Sequence, residues 1–323
     1  MIDLEETTAL WPAALLERWG VRGREAPADI PLLSRHLRVT EALAGYLARL
    51  YSPLAERLAR CLPTLSQPLV LGINGAQGTG KSTAAEVIAH LLELRGFRVC
   101  RLSIDDLYLT RCERQRLADE VHPLLTTRGV PGTHGVAMGE ALLQALTQAD
   151  ADTRVTLPRF DKAQDDRRAE GELWQGRPHL IIFEGWCVGA RPQEEAALEP
   201  ALNALEREED PDGRWRRYVN AQLEGYQGLF ARLNHLILLR APSFEQVFQW
   251  RSEQEAALKK QLEDERRTGT HLMTPPMLQR FIDHYERLTR WILQEMPERA
   301  DLVLALDTHH RVEQITASGA TRL

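Results

Sequence analysis

The chain has 323 residues, 43% of them hydrophobic and 27% charged, a balance that supports a packed core and excludes a wholly disordered chain. Its 40 basic and 46 acidic residues leave a formal charge of −6, which is unsuited to holding nucleic acid by phosphate neutralisation. Cys61, Cys100, Cys112 and Cys187 fall in no CxxC spacing, no apolar run reaches the ~20 residues of a membrane helix, and MIDLEETTAL is acidic where a targeting peptide would be basic. The expectation is a cytoplasmic protein with reduced thiols, no membrane and no nucleic-acid partner.

Residues 1–66 read as a helical N-terminal extension. Leu32, Leu33, Leu37, Val39, Leu43, Leu47 and Leu50 recur at near-helical spacing, with Arg and Glu between them. The extension carries no chemical motif and is expected to pack on the remainder, residues 67–323. From Gln67 the period changes. QPLVLGIN (Gln67–Asn74) is a short apolar run ended by glycine, as in a buried parallel strand. Thr83–Arg95 is helical, and FRVCRLSI (Phe97–Ile104) is the next strand. Residues 153–157 form a short third one, followed by His179–Phe183, Leu233–Leu239 and Asp301–Leu306. Helical segments at about 136–148, 193–208, 215–232, 243–267 and 275–295 separate them. Glu206–Arg214, EREEDPDGR, reads as a solvated turn. The alternation implies an α/β fold with a parallel sheet covered on both faces.

GINGAQGTGKST satisfies G-x-x-x-x-G-K-[ST] with Gly75, Gly80, Lys81 and Ser82, between a predicted strand and a predicted helix. Glycines allow the tight bend that turns consecutive N–H groups of Gly75, Ala76, Gln77, Gly78, Thr79 and Gly80 inward. The helix start adds positive potential. Lys81 is placed to reach the β and γ phosphates of ATP and Ser82 to ligate Mg²⁺, with Thr83 supporting the loop. Two further strand ends carry carboxylates: SIDDLY (Ser103–Tyr108) and FEGW (Phe183–Trp186). In an open α/β sheet these ends face the ligand. Asp105 is assigned as the base that orients and deprotonates an acceptor hydroxyl, with Asp106 as the alternate, and Glu184 as a metal ligand.

GINGAQGTGKST, SIDDLYLT, RGVPGTHG, PRFDKAQDDR, FEGWCVG and QWRSEQE occur in this order and resemble the D-glycerate 3-kinase family of plant and fungal type and its bacterial relatives. That family is grouped with uridine kinase, phosphoribulokinase and pantothenate kinase. The resemblance covers about residues 67–310. It implies a P-loop kinase with a five-stranded parallel sheet flanked by helices and a mobile lid, here at about 241–270, and an ATP-dependent phosphorylation of D-glycerate to 3-phospho-D-glycerate. In related kinases the aspartate matching Asp105 is the catalytic base. Three positions depart from the family's pattern: Gly135 where it has Asp, Ala163 where it has Ser and Asp165 where it has Gly.

A small hydroxy acid needs a carboxylate clamp, to which arginine is suited. Arg128, Arg159, Lys162, Arg167 and Arg168 are the candidates; Asp161, Lys162 and Arg167 match family positions. Asp106 and Tyr108 in SIDDLY, Asp161 and His134 are the candidates for contacts to acceptor hydroxyls. In the lid helix Arg251, then Lys259, Lys260, Arg266 or Arg267, are placed to cover the transferring phosphoryl group. Asp307, Thr308 and His309 occupy a loop that approaches adenine in related kinases. Gly135 and Ala163 motivate a second reading, a kinase with a nucleoside, pantothenate-like or other sugar-acid acceptor; a third is a nucleotide-gated binding module.

Overall fold

Leu69–Gly75 (β1) reads LVLGING and is buried along its whole length, as a strand covered on both faces must be. The computed structural model describes residues 10–21, 29–264, 273–318 and 323, without the side chains of 257–264. β1 lies between two parallel neighbours, Leu180–Gly185 (β7) and His235–Arg240 (β8). Val99–Ser103 (β2) pairs outside β7 and Leu302–Leu306 (β9) outside β8, completing five parallel strands. A sixth, Val312–Ala317 (β10), runs antiparallel to β9 at the sheet edge. It was not expected, because only Val312 and Ile315 of VEQITA are buried, and so polar a run carries a weak strand signal.

Alternate residues of the strands feed two cores. Leu71, Ile73, Leu180 and Ile182 meet the helices Ala13–Trp19 (α1), Ile30–Leu37 (α2), Glu41–Cys61 (α3) and Lys81–Glu93 (α4). Val70, Ile181, Phe183 and Leu238 meet Val136–Thr147 (α6), Arg214–Phe230 (α8) and Pro275–Glu295 (α10). The extension therefore shares its core with one face of the sheet. Its leucine stripe is not one helix: α2 ends with Arg38 in the left-handed region (φ 55°), and Thr40 caps α3 by accepting from the Leu43 N–H.

Several segments differ from expectation. Residues 154–157 do form a strand (β3), but it pairs antiparallel with Glu172–Gln175 (β6) outside the main sheet. Between them Phe160–Asp161 (β4) and Asp166–Arg167 (β5) form a smaller hairpin, so PRFDKAQDDR projects as a two-stranded finger. The helix expected at 193–208 is split at Pro200 into a short turn, Glu195–Leu198, and Ala204–Glu209 (α7). EREEDPDGR is not a solvated turn: Glu206 and Asp210 are fully buried, paired with Arg287 and Arg216. The helix Arg111–Glu120 (α5) was missed, although Thr110 and Glu113 form a capping box. Phe244–Asp264 (α9) and α10 follow β8, close to the expected bounds.

Candidate active site

The C-terminal ends of β1, β2 and β7 open on one cavity of about 910 Å³. Register explains the convergence: Glu184 on β7 stands opposite Ile73 on β1 and Ser103 on β2, which brings FEGW and SIDDLY beside the loop that follows β1. In that loop the Thr79 hydroxyl and amide both donate to the Ala76 carbonyl, at 2.8 and 3.2 Å. Gly80, at φ 81°, turns the chain into α4, a conformation that favours glycine. Gln77 to Thr83 line the cavity, while Gly75 and Ala76 do not. His310 meets the Gly78 carbonyl through Nδ1 at 2.9 Å and stacks on Trp250 of α9, 4.3 Å between ring centres. The Trp250 indole donates to the Thr308 carbonyl at 2.9 Å. The base of α9 and the loop after β9 thus both brace the phosphate loop. In that loop the Asp307 carboxylate accepts from the His309 and Arg311 amides, while His309, His310 and Arg311 line the cavity.

Ser82 Oγ donates to Glu184 Oε1 at 2.9 Å, and Glu184 Oε2 is buried with no hydrogen-bond partner. A buried carboxylate oxygen left open beside a hydroxyl at the phosphate loop fits a hard divalent cation. Among the described residues no group of three or more His, Cys, Asp or Glu side chains could hold a metal by itself. Phosphate oxygens would have to complete the shell, the usual arrangement for Mg²⁺.

Asp105 follows β2 and faces the same cavity. The Tyr108 hydroxyl donates to Oδ1 at 2.8 Å and Lys162 Nζ to Oδ2 at 2.6 Å. Burial raises the Asp105 pKa, but Lys162, Lys81 and the Tyr108 hydroxyl outweigh it and hold the carboxyl at about 2. Tyr108, Arg128, Lys162 and Arg251 all line the cavity with Asp105. Arg128 is ion-paired with Asp165 and lies 5.5 Å over the Phe160 ring; Arg251 pairs with Glu255 at 3.2 Å. Asp165 adopts φ 55°, the left-handed conformation for which glycine is suited, and also pairs with the buried Arg114. The departure from the family's glycine therefore contributes an anion that fixes Arg128.

Six of the residues expected at the acceptor, Asp106, His134, Arg159, Asp161, Arg167 and Arg168, do not line the cavity. Asp106 accepts from the Phe160 amide and the Arg159 guanidinium, at 3.1 and 2.9 Å, so both its oxygens anchor the β4–β5 finger. Its pKa is raised, burial outweighing these partners. Asp161 accepts from the Ala163 and Gln164 amides and closes the finger's turn. Arg167 donates to the Tyr108 carbonyl at 2.8 Å. His134 lies behind Tyr108, stacked on it at 4.7 Å, with Nδ1 against the Tyr226 hydroxyl at 2.8 Å. Arg159 is likewise engaged by Asp106 and Glu172. Gly135 is the N-cap of α6, a position where an aspartate would act as a helix cap. The side chains of Lys259 and Lys260, and the whole of Arg266 and Arg267, lie outside the described residues.

Sequence reasoning missed three contributors. Tyr285 of α10 lines the cavity and its hydroxyl donates to the Arg128 carbonyl at 2.9 Å; a side chain at Gly129 would collide with it. Trp186 also lines the cavity and donates to the Gly129 carbonyl at 2.9 Å. Finally α3 of the extension supplies Leu43, Tyr46, Leu47 and Leu50 to the wall beside Thr83. The leucine stripe was visible, but nothing in it distinguishes a cavity wall from core.

No family model matches the chain. A protein of Schizosaccharomyces pombe named uncharacterized kinase mug58 is 34% identical over 208 residues, which span 60% of this chain and 72% of that protein. The chloroplastic D-glycerate 3-kinase of Arabidopsis thaliana is 27% identical over 267 residues, 78% of this chain and 55% of that protein. A solved D-glycerate 3-kinase from Cryptococcus neoformans shares the fold with a TM-score of 0.69 at 23% identity, over 84% of this chain and 99% of that one.

Proposed function

We propose, as this chain belongs to the D-glycerate 3-kinase family of P-loop kinases and is a phosphotransferase with an alcohol acceptor, that it transfers the γ-phosphoryl group of ATP to the 3-hydroxyl of D-glycerate. The observation that carries this reading is the charge around Asp105: Arg128, Lys162 and Arg251 line the acceptor half of the cavity. A small acid offers its carboxylate to such cations and its hydroxyl to the one carboxylate among them.

The nucleotide phosphates lie against the N–H groups of Gly75–Ser82, with Lys81 at the β and γ oxygens. Its base lies between α3 and the loop of His309–Arg311. Mg²⁺, bound by Ser82, Glu184 and phosphate oxygens, would neutralise the charge that builds on the phosphoryl group. Asp105 accepts a hydrogen bond from the acceptor hydroxyl and aligns its oxygen with the γ-phosphorus. In a loose transition state this alignment matters more than early proton removal, so a weakly basic carboxylate suffices. The proton passes to Asp105 as the bond to ADP breaks. Arg251 stabilises the phosphoryl oxygens and Arg128 the acceptor carboxylate. Tyr108 keeps Asp105 in place, while Asp106, His134, Asp161 and Arg167 support Tyr108 and the finger from behind.

The test is coupled ADP release with D-glycerate, uridine, pantothenate and ribulose 5-phosphate as acceptors. Turnover of D-glycerate with formation of 3-phosphoglycerate is expected. Turnover of uridine or pantothenate with none of glycerate overturns the acceptor.

A further inference from the structure

Both oxygens of Asp105 have partners, and the two partners are held very differently. Tyr108, on Oδ1, is buried, stacked on His134, met edge-on by Phe160 and gripped at its carbonyl by Arg167. It cannot withdraw without disturbing the core behind it. Lys162, on Oδ2, stands on the β4–β5 finger with its side chain 64% exposed, while Asp105 itself is only 21% exposed. An ion pair to so exposed a lysine is weakly held, and its flexible stem can swing. The oxygen that Tyr108 leaves open is therefore covered by an ammonium that can leave.

We propose that Lys162 is a latch on Asp105 which the anionic group of the acceptor draws away, so that hydroxy acids are phosphorylated while water and uncharged alcohols are spared. Arg128 and Arg251 pair with Asp165 and Glu255 and can turn to an anion without uncovering Asp105, whereas the partner of Lys162 is the base itself. An arriving carboxylate competes with Asp105 for the ammonium and frees Oδ2 for the acceptor hydroxyl. An alcohol without charge cannot compete, and the base stays covered. The same holds for water. Its attack would form a bond from the water oxygen to the γ-phosphorus and break the bond to the β–γ bridging oxygen. ADP would carry off the electron pair and Asp105 would take a water proton. The latch rests on Asp105 acting as the base in the phosphotransfer proposed above, and does not depend on glycerate being the acceptor.

The test is phosphate release from ATP by the full chain without any acceptor, followed by kcat/KM for D-glycerate and for glycerol. In Lys162→Gln, acceptor-free hydrolysis is expected to rise about tenfold, and the preference for glycerate over glycerol to fall by about as much. Adding Asp105→Asn to Lys162→Gln should abolish the extra hydrolysis, and Lys162→Arg should return it towards the wild-type level. Hydrolysis and preference both within about twofold of wild type would reduce Lys162 to an exposed ion pair and overturn the latch. So would extra hydrolysis that survives Asp105→Asn, because the water would then not be activated there. A wild type that phosphorylates another hydroxy acid and not glycerate would remove the acceptor assignment alone. The hydrolysis comparison would still judge the latch.

Discussion

Asp105 and Glu184 are both carboxylates at strand ends, and their surroundings separate their roles. Asp105 is flanked by the cations Lys162 and Lys81 and by the Tyr108 hydroxyl, which keep it ionised through the neutral range. Glu184 shares one oxygen with Ser82 and leaves the other open in a buried place. Asp105→Asn should lower kcat by about 10²–10⁴ while the equilibrium affinity for ATP stays within about threefold. Loss of ATP binding would move Asp105 to the phosphate side of the site. Glu184→Gln should instead raise the Mg²⁺ concentration needed for half-maximal rate by about tenfold or more, read from a metal titration at saturating acceptor. These two residues were legible because strand ends and the phosphate-loop motif fix where they point. Asp106, His134, Asp161 and Arg167 were not, because a charged cluster does not reveal which of its members satisfy one another. Arg114, in the polar stretch RCERQRLADE, is buried on the carbonyls of Leu109, Thr126 and Asp165, a placement that no local pattern announces.

At the scale of elements, α3 is the unexpected contributor. Leu43 is 44% exposed and yet faces the cavity that holds the phosphate loop, where an apolar side chain gains by covering a flat ligand. His309, His310 and Arg311 line the same cavity, and in the function proposed above the nucleotide base lies between them and Leu43. Leu43→Ser should weaken ATP binding by about tenfold and leave inorganic tripolyphosphate binding unchanged, as measured by calorimetry. Equal weakening of both would place the base elsewhere. The parallel strands and long helices were readable because each is a periodic run of the right length. The strand at 154–157 was readable too, but β4, β5, β6 and β10 were not: each is six residues or fewer, partly solvated, and is stabilised by its partner more than by its own pattern. The finger that carries Lys162 belongs to this second group, so the pairing of Lys162 with Asp105 could not be seen before the fold was known.

For the whole molecule, burying neutral histidines ties the fold to pH. His134, behind Tyr108, and His284 of α10, against Trp215 of α8, are both pushed down to about 4, in each case chiefly by burial. A depressed histidine pKa means that the unfolded chain binds the proton first. The contribution is complete above the ordinary value near 6.5 and is lost as pH falls from there towards 4. Each residue can account for about 2 kcal/mol between pH 7 and pH 5. Asp105 does not interfere in that window, because its depressed carboxyl costs stability only below the ordinary aspartate range. Asp106 and Asp283, raised by burial, act in the opposite sense, so a comparison with variants is needed to isolate the histidines. The thermal midpoint of the wild type should fall between pH 7 and pH 5. His284→Gln should start lower at pH 7 but lose less over the same interval, since the residue that takes up the proton on unfolding is gone. A variant whose midpoint falls as steeply as the wild type's would show that His284 is not held neutral in the folded chain. The acid sensitivity would then rest on His134, whose pKa burial also lowers.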